Sequence, residues 1–354
     1  MAFFQKLNRY NVEQFLKPQK KYKFDTMEYR KEKLKFIDLF CGIGGFRVAF
    51  EEACQENNIQ PEGVFSSDID RFCQDSYEAN FHERPFGDIK QINGKDIPEH
   101  DILFAGFPCQ PFSIIGQRKG LNDTRGTLFF DIARIIEVKQ PKAFILENVK
   151  QLVGHDKGKT LKVILNTLKG LGYFVQYSIL NALDYGLPQK RERVIIIGHR
   201  EPILFTFPDP VRPFIPLSSI LESNIDKKHY ASEYIKKKRR ESHKSAFYPS
   251  IWHENKSGNI CSYPYSCALR AGASYNYLLV NGERRLTPRE MLRLQGFPDS
   301  YKIVVSDGQA RKQAGNAVPV NMAKAVILKL LPYVASSLDR TSILREYDFK
   351  YNPS

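Results

Sequence analysis

The sequence has no C-x-x-C pair among its six cysteines, Cys41, Cys54, Cys73, Cys109, Cys261 and Cys267, so neither a metal site nor a disulfide framework is expected. It has no stretch approaching the roughly 20 apolar residues of a membrane helix. Its opening, MAFFQKLNRYNVEQ, lacks the long apolar run of a secretory signal. Together these absences point to a reducing, intracellular setting with no metal and no membrane. No repeat of fixed period is present. Acidic residues are in deficit: 39 Asp and Glu stand against 53 Lys and Arg, a formal charge of +14. An anionic partner is expected, although charge alone does not separate nucleic acid from an acidic membrane surface. What is present, 42% hydrophobic and 26% charged residues, is the balance of a folded chain and excludes long disorder.

The 354 residues suit one large α/β unit carrying a smaller one. Residues 1–33 form a polar, basic extension without a sustained period. From Leu34 to Phe40 the run LKFIDLF reads as a buried strand, and further runs follow: GVFSSD, DILFAG, KAFILEN, YSILNAL and RVIIIG. They alternate with helical stretches at Gly126 to Val138 and Lys159 to Leu171, which predicts βαβ units and a mostly parallel, doubly wound, Rossmann-like sheet. After Arg200 a proline cluster and the basic run Lys236 to Arg240 mark a different texture. A long helix is expected only at Pro319 to Val334, after the punctuated segment Gln309 to Val318. The expected division is 34–206, 207–305 as a smaller unit, and 306–354 returning to the first.

The first strand runs into Cys41-Gly42-Ile43-Gly44-Gly45 and then a helical pattern. Glycines at a strand-to-helix turn let the backbone approach a ligand and expose the helix N-terminus. A dinucleotide fingerprint needs a third glycine where Arg47 stands, so the spacing fits an adenosyl ligand without a pyrophosphate better. Asp68 and Asp70 close the second strand, where an acid can accept ribose hydroxyls. Tight packing and two solvated acids would explain the same segments. Further on, DILFAG leads into Phe107-Pro108-Cys109-Gln110-Pro111-Phe112-Ser113, setting Cys109 between two prolines just past a strand end. A thiol with a pKa of about 8.5 needs positive neighbours or a helix N-terminus to act as a thiolate. The other five cysteines read as buried packing groups.

These segments resemble the DNA (cytosine-5) methyltransferases of bacterial modification systems. The resemblance rests on Asp38-Leu39-Phe40-Cys41-Gly42-Ile43-Gly44-Gly45, Gly87-Asp88-Ile89, Gly106-Phe107-Pro108-Cys109-Gln110-Pro111-Phe112-Ser113, Glu147-Asn148-Val149, Gln189-Lys190-Arg191-Glu192-Arg193 and Gly315-Asn316-Ala317-Val318-Pro319. Any one could arise by chance; six in order could not plausibly do so.

The resemblance implies S-adenosyl-L-methionine as methyl donor. Its contacts would come from Phe40, Gly42, Ile43, Gly44 and Gly45, from Asp68 at the ribose with Ile69 beside it, and from Asp88, Ile89, Pro108, Asn316 and Ala317. It also implies Cys109 as the nucleophile adding to carbon 6 of a cytosine flipped out of double-stranded DNA, with Gln110 in the same loop. Glu147 would bond ring nitrogen 3 and the amino group, Arg193 would bond oxygen 2, and Arg191 would belong with them. Ser113 and Arg125 bound a loop suited to close over DNA, Gln189 would face DNA, and residues 207 to 281 hold the place of the target recognition region. There Lys236, Lys237, Lys238, Arg239 and Arg240 suggest phosphate contacts, although a charge run is more often a solvated face.

The expected setting is a bacterial cytoplasm, with the enzyme a monomer, at the nucleoid when bound to DNA, and a cognate restriction endonuclease encoded nearby. Three rivals stand beside this reading. A transfer-RNA cytosine methyltransferase would be expected to carry Cys-Phe-Thr in the recognition region, which this chain lacks. A non-catalytic DNA-binding relative would not need Cys109, Glu147 and Arg193 together. A thiol hydrolase would need a convincing partner among the seven histidines, and none stands out.

Overall fold

The computed structural model describes residues 33–108 and 128–335, apart from Ile203 and Arg212. Strand β1, Lys33–Leu39, enters helix α1, Gly45–Glu56, through the glycine turn. Then come β2, Gln60–Ser67, α2, Arg71–Phe81, and β3, Ile102–Gly106. Helix α3, Leu128–Lys139, β4, Ala143–Val149, α4, Lys159–Gly170, and β5, Phe174–Asn181, follow. The short β6, Gln189–Lys190, precedes β7, Glu192–His199.

The main sheet has the order β2-β1-β3-β4-β7-β5. Its first four strands are parallel, as the alternation predicts, and β7 inserts antiparallel between β4 and β5. The reason is local: only a single 3-10 turn, Ala182–Asp184, and the short β6 separate β5 from β7, too little for the crossover a parallel neighbour needs.

Both faces of this sheet are apolar, in alternate residues. Phe36, Phe104, Ile145 and Ile195 face one core with α1 and the C-terminal helix. Ile37, Leu103, Phe144 and Val194 face the other, with α3 and α4. A central strand buried on both sides reads as a continuous hydrophobic run, and the sequence shows such runs.

Beyond β7 the chain forms α5, Glu233–Ser242, and the strands β8, Ile251–Glu254, β9, Ile260–Tyr263, β10, Ser266–Cys267, and β11, Leu278–Val280. Three of them make a small antiparallel sheet, β11-β8-β9, while β10 pairs in parallel with β6. Helix α6, Pro288–Leu294, begins with a capping box, Thr287 to Glu290, whose carboxylate also takes Arg284 Nη1 and Nη2 at 2.8 Å each.

The segment expected to be merely punctuated contains a helix, α7, Asp307–Asn316, capped by Ser306. Helix α8, Val320–Val334, completes the fold, with nine of its fifteen residues buried between α1 and the sheet, which accounts for its apolar composition.

Candidate active site

The carboxyl ends of β1, β2, β3 and β4 open onto one cleft of about 560 Å³, where open α/β sheets bind ligands. Phe40 and Gly42 form one wall, both with positive φ, 53° and 54°. Behind them Ile43 is buried, its carbonyl accepting from the Tyr301 hydroxyl at 3.0 Å. Gly44 lies against the Phe81 ring, and a Cβ on Gly45 would come within 2.7 Å of the Val318 carbonyl oxygen. These three residues shape the turn from behind; Phe40 and Gly42 are the ones that face the cleft.

Asp68 reaches across to that turn, its Oδ2 accepting from the Gly42 nitrogen at 2.8 Å and its Oδ1 from the Asp70 nitrogen at 2.8 Å. Burial raises its pKa, and the two backbone donors oppose the shift. Asp70 caps α2 and pairs with Lys312 at 2.6 Å, so its carboxylate is already engaged. Asp88 starts a 3-10 turn through Ile89 and accepts from the Lys90 nitrogen at 3.0 Å. Ile69, 75% exposed, stands at the rim, and Pro108 and Asn316 complete the lining. Ala317 lies beneath, its carbonyl taken by Arg191.

Three aspartates, Asp68, Asp70 and Asp88, and the apolar side chains of Phe40, Ile89 and Leu128 around a cleft of this size suit a nucleoside that carries a positive charge. The donor set thus fits S-adenosylmethionine. Nothing in the residue pattern singled out Leu128 or Cys73, which also face the cleft.

At the end of β4, Glu147 is 7% exposed, and its Oε1 lies 2.8 Å from Arg193 Nε. The register explains the pairing. Val149 sits opposite Arg193 and Glu147 opposite Ile195, so Glu147 and Arg193 are diagonal neighbours on one face of an antiparallel pair. Glu147 is also in register with Gly106, three residues before Cys109. Asn148 Nδ2 donates to the Phe107 carbonyl at 2.9 Å and ties that exit to β4. Cys109, Gln110, Ser113 and Arg125 lie outside the described residues.

Three expected site residues are buried. Arg191 is fully buried, donating to the carbonyls of Leu269, Gly315 and Ala317, with its pKa pushed down to about 9 by burial and by Arg193. All of these bonds go to the backbone, and the side chain also lines the cleft. Gln189 is also buried, bonded to Leu269, Leu294 and Gln295, and does not face DNA. Arg239 is 1% exposed and bonded to the Trp252 and Asn276 carbonyls and to Glu254 at 3.0 Å, so it cannot reach a phosphate. Of the same run, Lys237, Lys238 and Arg240 are exposed, while Lys236 is half-buried against Tyr230 and paired with Glu233.

Residues 34–331 match the family model described as C-5 cytosine-specific DNA methylase. The chain is 56% identical over 294 residues to the Type II methyltransferase M.NgoBI of Neisseria gonorrhoeae, spanning 82% of this chain and 91% of that protein. It is 55% identical over 295 residues to the Type II methyltransferase M.HaeII of Haemophilus aegyptius, with the same two coverages. The solved structure of the Entamoeba histolytica methyltransferase EhMeth shares the fold, with a TM-score of 0.67 at 19% identity, covering 85% of this chain and 98% of that one.

Proposed function

This chain belongs to the C-5 cytosine-specific DNA methylase family and is a DNA cytosine-5 methyltransferase of the restriction-modification type, and we propose that it works through a covalent Cys109 adduct on a flipped-out cytosine. The observation that carries the proposal is the ion pair of Glu147 and Arg193, at the end of the cleft where β3 leads towards Cys109.

Carbon 5 of cytosine is a poor nucleophile until the ring loses its aromaticity. The Cys109 sulfur adds at carbon 6, and the charge that appears on nitrogen 3 and oxygen 2 needs a proton and a cation close by. Glu147, once its carboxylate has taken up a proton from solvent, passes that proton to nitrogen 3 and accepts a hydrogen bond from the amino group. Arg193, always charged, bonds oxygen 2, and its pairing with Glu147 holds both heads in place before the base arrives. S-adenosylmethionine, when bound, supplies an electrophilic methyl group. Phe40, Gly42, Asp68, Asp88, Ile89, Pro108 and Asn316 would hold it. A base then takes the carbon-5 proton and the Cys109 sulfur leaves by elimination.

A cytosine inside a duplex is out of reach, so it must be flipped at a cost of about a few kcal/mol. Residues 207–305 provide target recognition in this reading, and 306–354 complete the catalytic unit. The enzyme acts as a cytoplasmic monomer that protects host DNA from an endonuclease encoded nearby.

Incubation with labelled donor tests the proposal directly. Label should appear as 5-methylcytosine in duplex DNA and be absent from transfer RNA, and bisulfite sequencing of plasmid from an expressing host should show one sequence context. Label in transfer RNA with none in DNA would overturn it.

A further inference from the structure

Gln189 and Arg191 grip a single residue of the smaller unit from both sides. Gln189 Oε1 accepts from the Leu269 nitrogen at 3.0 Å, and Arg191 Nη1 donates to the Leu269 carbonyl at 2.9 Å. The same Arg191 holds Gly315 and Ala317 at 3.0 and 2.9 Å, and β10 pairs with β6 just before. Leu269 is therefore fixed relative to the end of the main sheet that carries Arg193.

The next residue is Arg270. Its backbone nitrogen donates to the Tyr277 hydroxyl at 2.9 Å, and its guanidinium carbon lies 4.8 Å from the centroid of that ring. Arg285 and Arg311 share this aromatic cluster, but their guanidinium groups donate to Asn276 and Lys228, and to Ala273 and Ser274. Arg270 is exposed, and among the described hydrogen bonds and ion pairs none engages its guanidinium. Its backbone runs behind the cleft wall: a Cβ on Gly315 would come within 2.8 Å of the Arg270 carbonyl carbon, Gly315 and Asn316 line the cleft, and the Arg270 side chain lines a neighbouring pocket with Tyr275, Tyr277 and Arg311. An arginine whose flat face is supported by tyrosine and whose N–H fork is open is preorganised for a bidentate anion.

We propose that Arg270 holds a backbone phosphate flanking the flipped cytosine, and that Gln189 and Arg191 position it there. The inference rests on the DNA methyltransferase reading above. Flipping turns the nucleotide about its backbone, so beside the cleft the base edge has left the stack while its flanking phosphates remain. A phosphate contact at that place holds the rotated backbone and carries no sequence information.

The test uses the full chain and duplexes in which each phosphate next to the target cytosine is replaced, one at a time, by a neutral methylphosphonate. At one position the wild type should bind about tenfold more weakly, the loss of one charge-assisted hydrogen-bonded pair. Arg270→Gln should lose about the same on the unmodified duplex and nothing further on that methylphosphonate. Arg270→Lys should recover part of the loss, and cofactor binding and the methylated sequence should stay unchanged. Independent, multiplying losses at both positions would overturn the proposal. A changed sequence preference in Arg270→Gln would also overturn it, by making Arg270 a base reader. Wild-type enzyme that methylates no duplex at all would instead bring down the functional reading on which the inference rests.

Discussion

Glu147 and Arg193 meet because antiparallel pairing makes them diagonal neighbours, and their mutual bond orients two largely buried heads at the cleft. Replacing Glu147 by Gln keeps the size of the side chain but removes the carboxyl group to which the proposed mechanism gives the proton transfer. Single-turnover methylation by Glu147→Gln should fall by about a hundredfold or more, the range of general acid catalysis, while cofactor binding changes little. A variant that mainly loses cofactor affinity would move Glu147 to the cofactor side of the cleft. The residue types of this site were legible in the sequence; their depth was not. Gln189, Arg191 and Arg193 alternate along the chain, so period alone cannot separate them. Arg191 and Gln189 are buried because Leu269, Gly315 and Ala317, far away in sequence, close over them.

At the scale of elements, α5 shows how a charge run divides once it is wound into a helix. Successive residues point about 100° apart, so five consecutive basic residues cannot share one face. Arg239 points inward and joins α5 to the Trp252 and Asn276 carbonyls and to Glu254, while Lys237 and Lys238 point to solvent. The two groups should respond differently to substitution. Arg239→Ala should lower stability by about 3 kcal/mol in denaturant unfolding, the scale of breaking a buried ion pair. Lys237→Gln with Lys238→Gln should leave stability alone and, if both touch phosphates, flatten the salt dependence of DNA binding by about 0.9 log units for each contact. An unchanged salt slope would assign the pair to a solvated face. Helix α7 escaped the sequence reading because glycine and polar residues break its apolar period, and its hold comes from Ser306 at the cap and from Gln313 bonded to Phe72 and Ser76 across the fold.

At the scale of the molecule, strand runs and helical stretches foretold the doubly wound sheet because its central strands are buried on both faces and each helix packs on one. The antiparallel β7 was not foretold, since strand direction depends on connection length and not on the strand's own residues. The assembly brings to one cleft a glycine turn, three aspartates, a paired Glu147 and Arg193, and the exit of β3 through Pro108. The Cys73 thiol lines this cleft, and burial raises its pKa above the usual thiol value, which disfavours the thiolate. The account therefore stands or falls on which sulfur attacks. Duplex DNA with 5-fluorocytosine at the methylated position, incubated with donor and digested for mass analysis, decides it, because fluorine cannot leave as a proton does. The expected result is a denaturation-stable protein–DNA adduct mapped to Cys109 and lost in Cys109→Ser. An adduct at Cys73, or undiminished methylation by Cys109→Ser, would contradict the account.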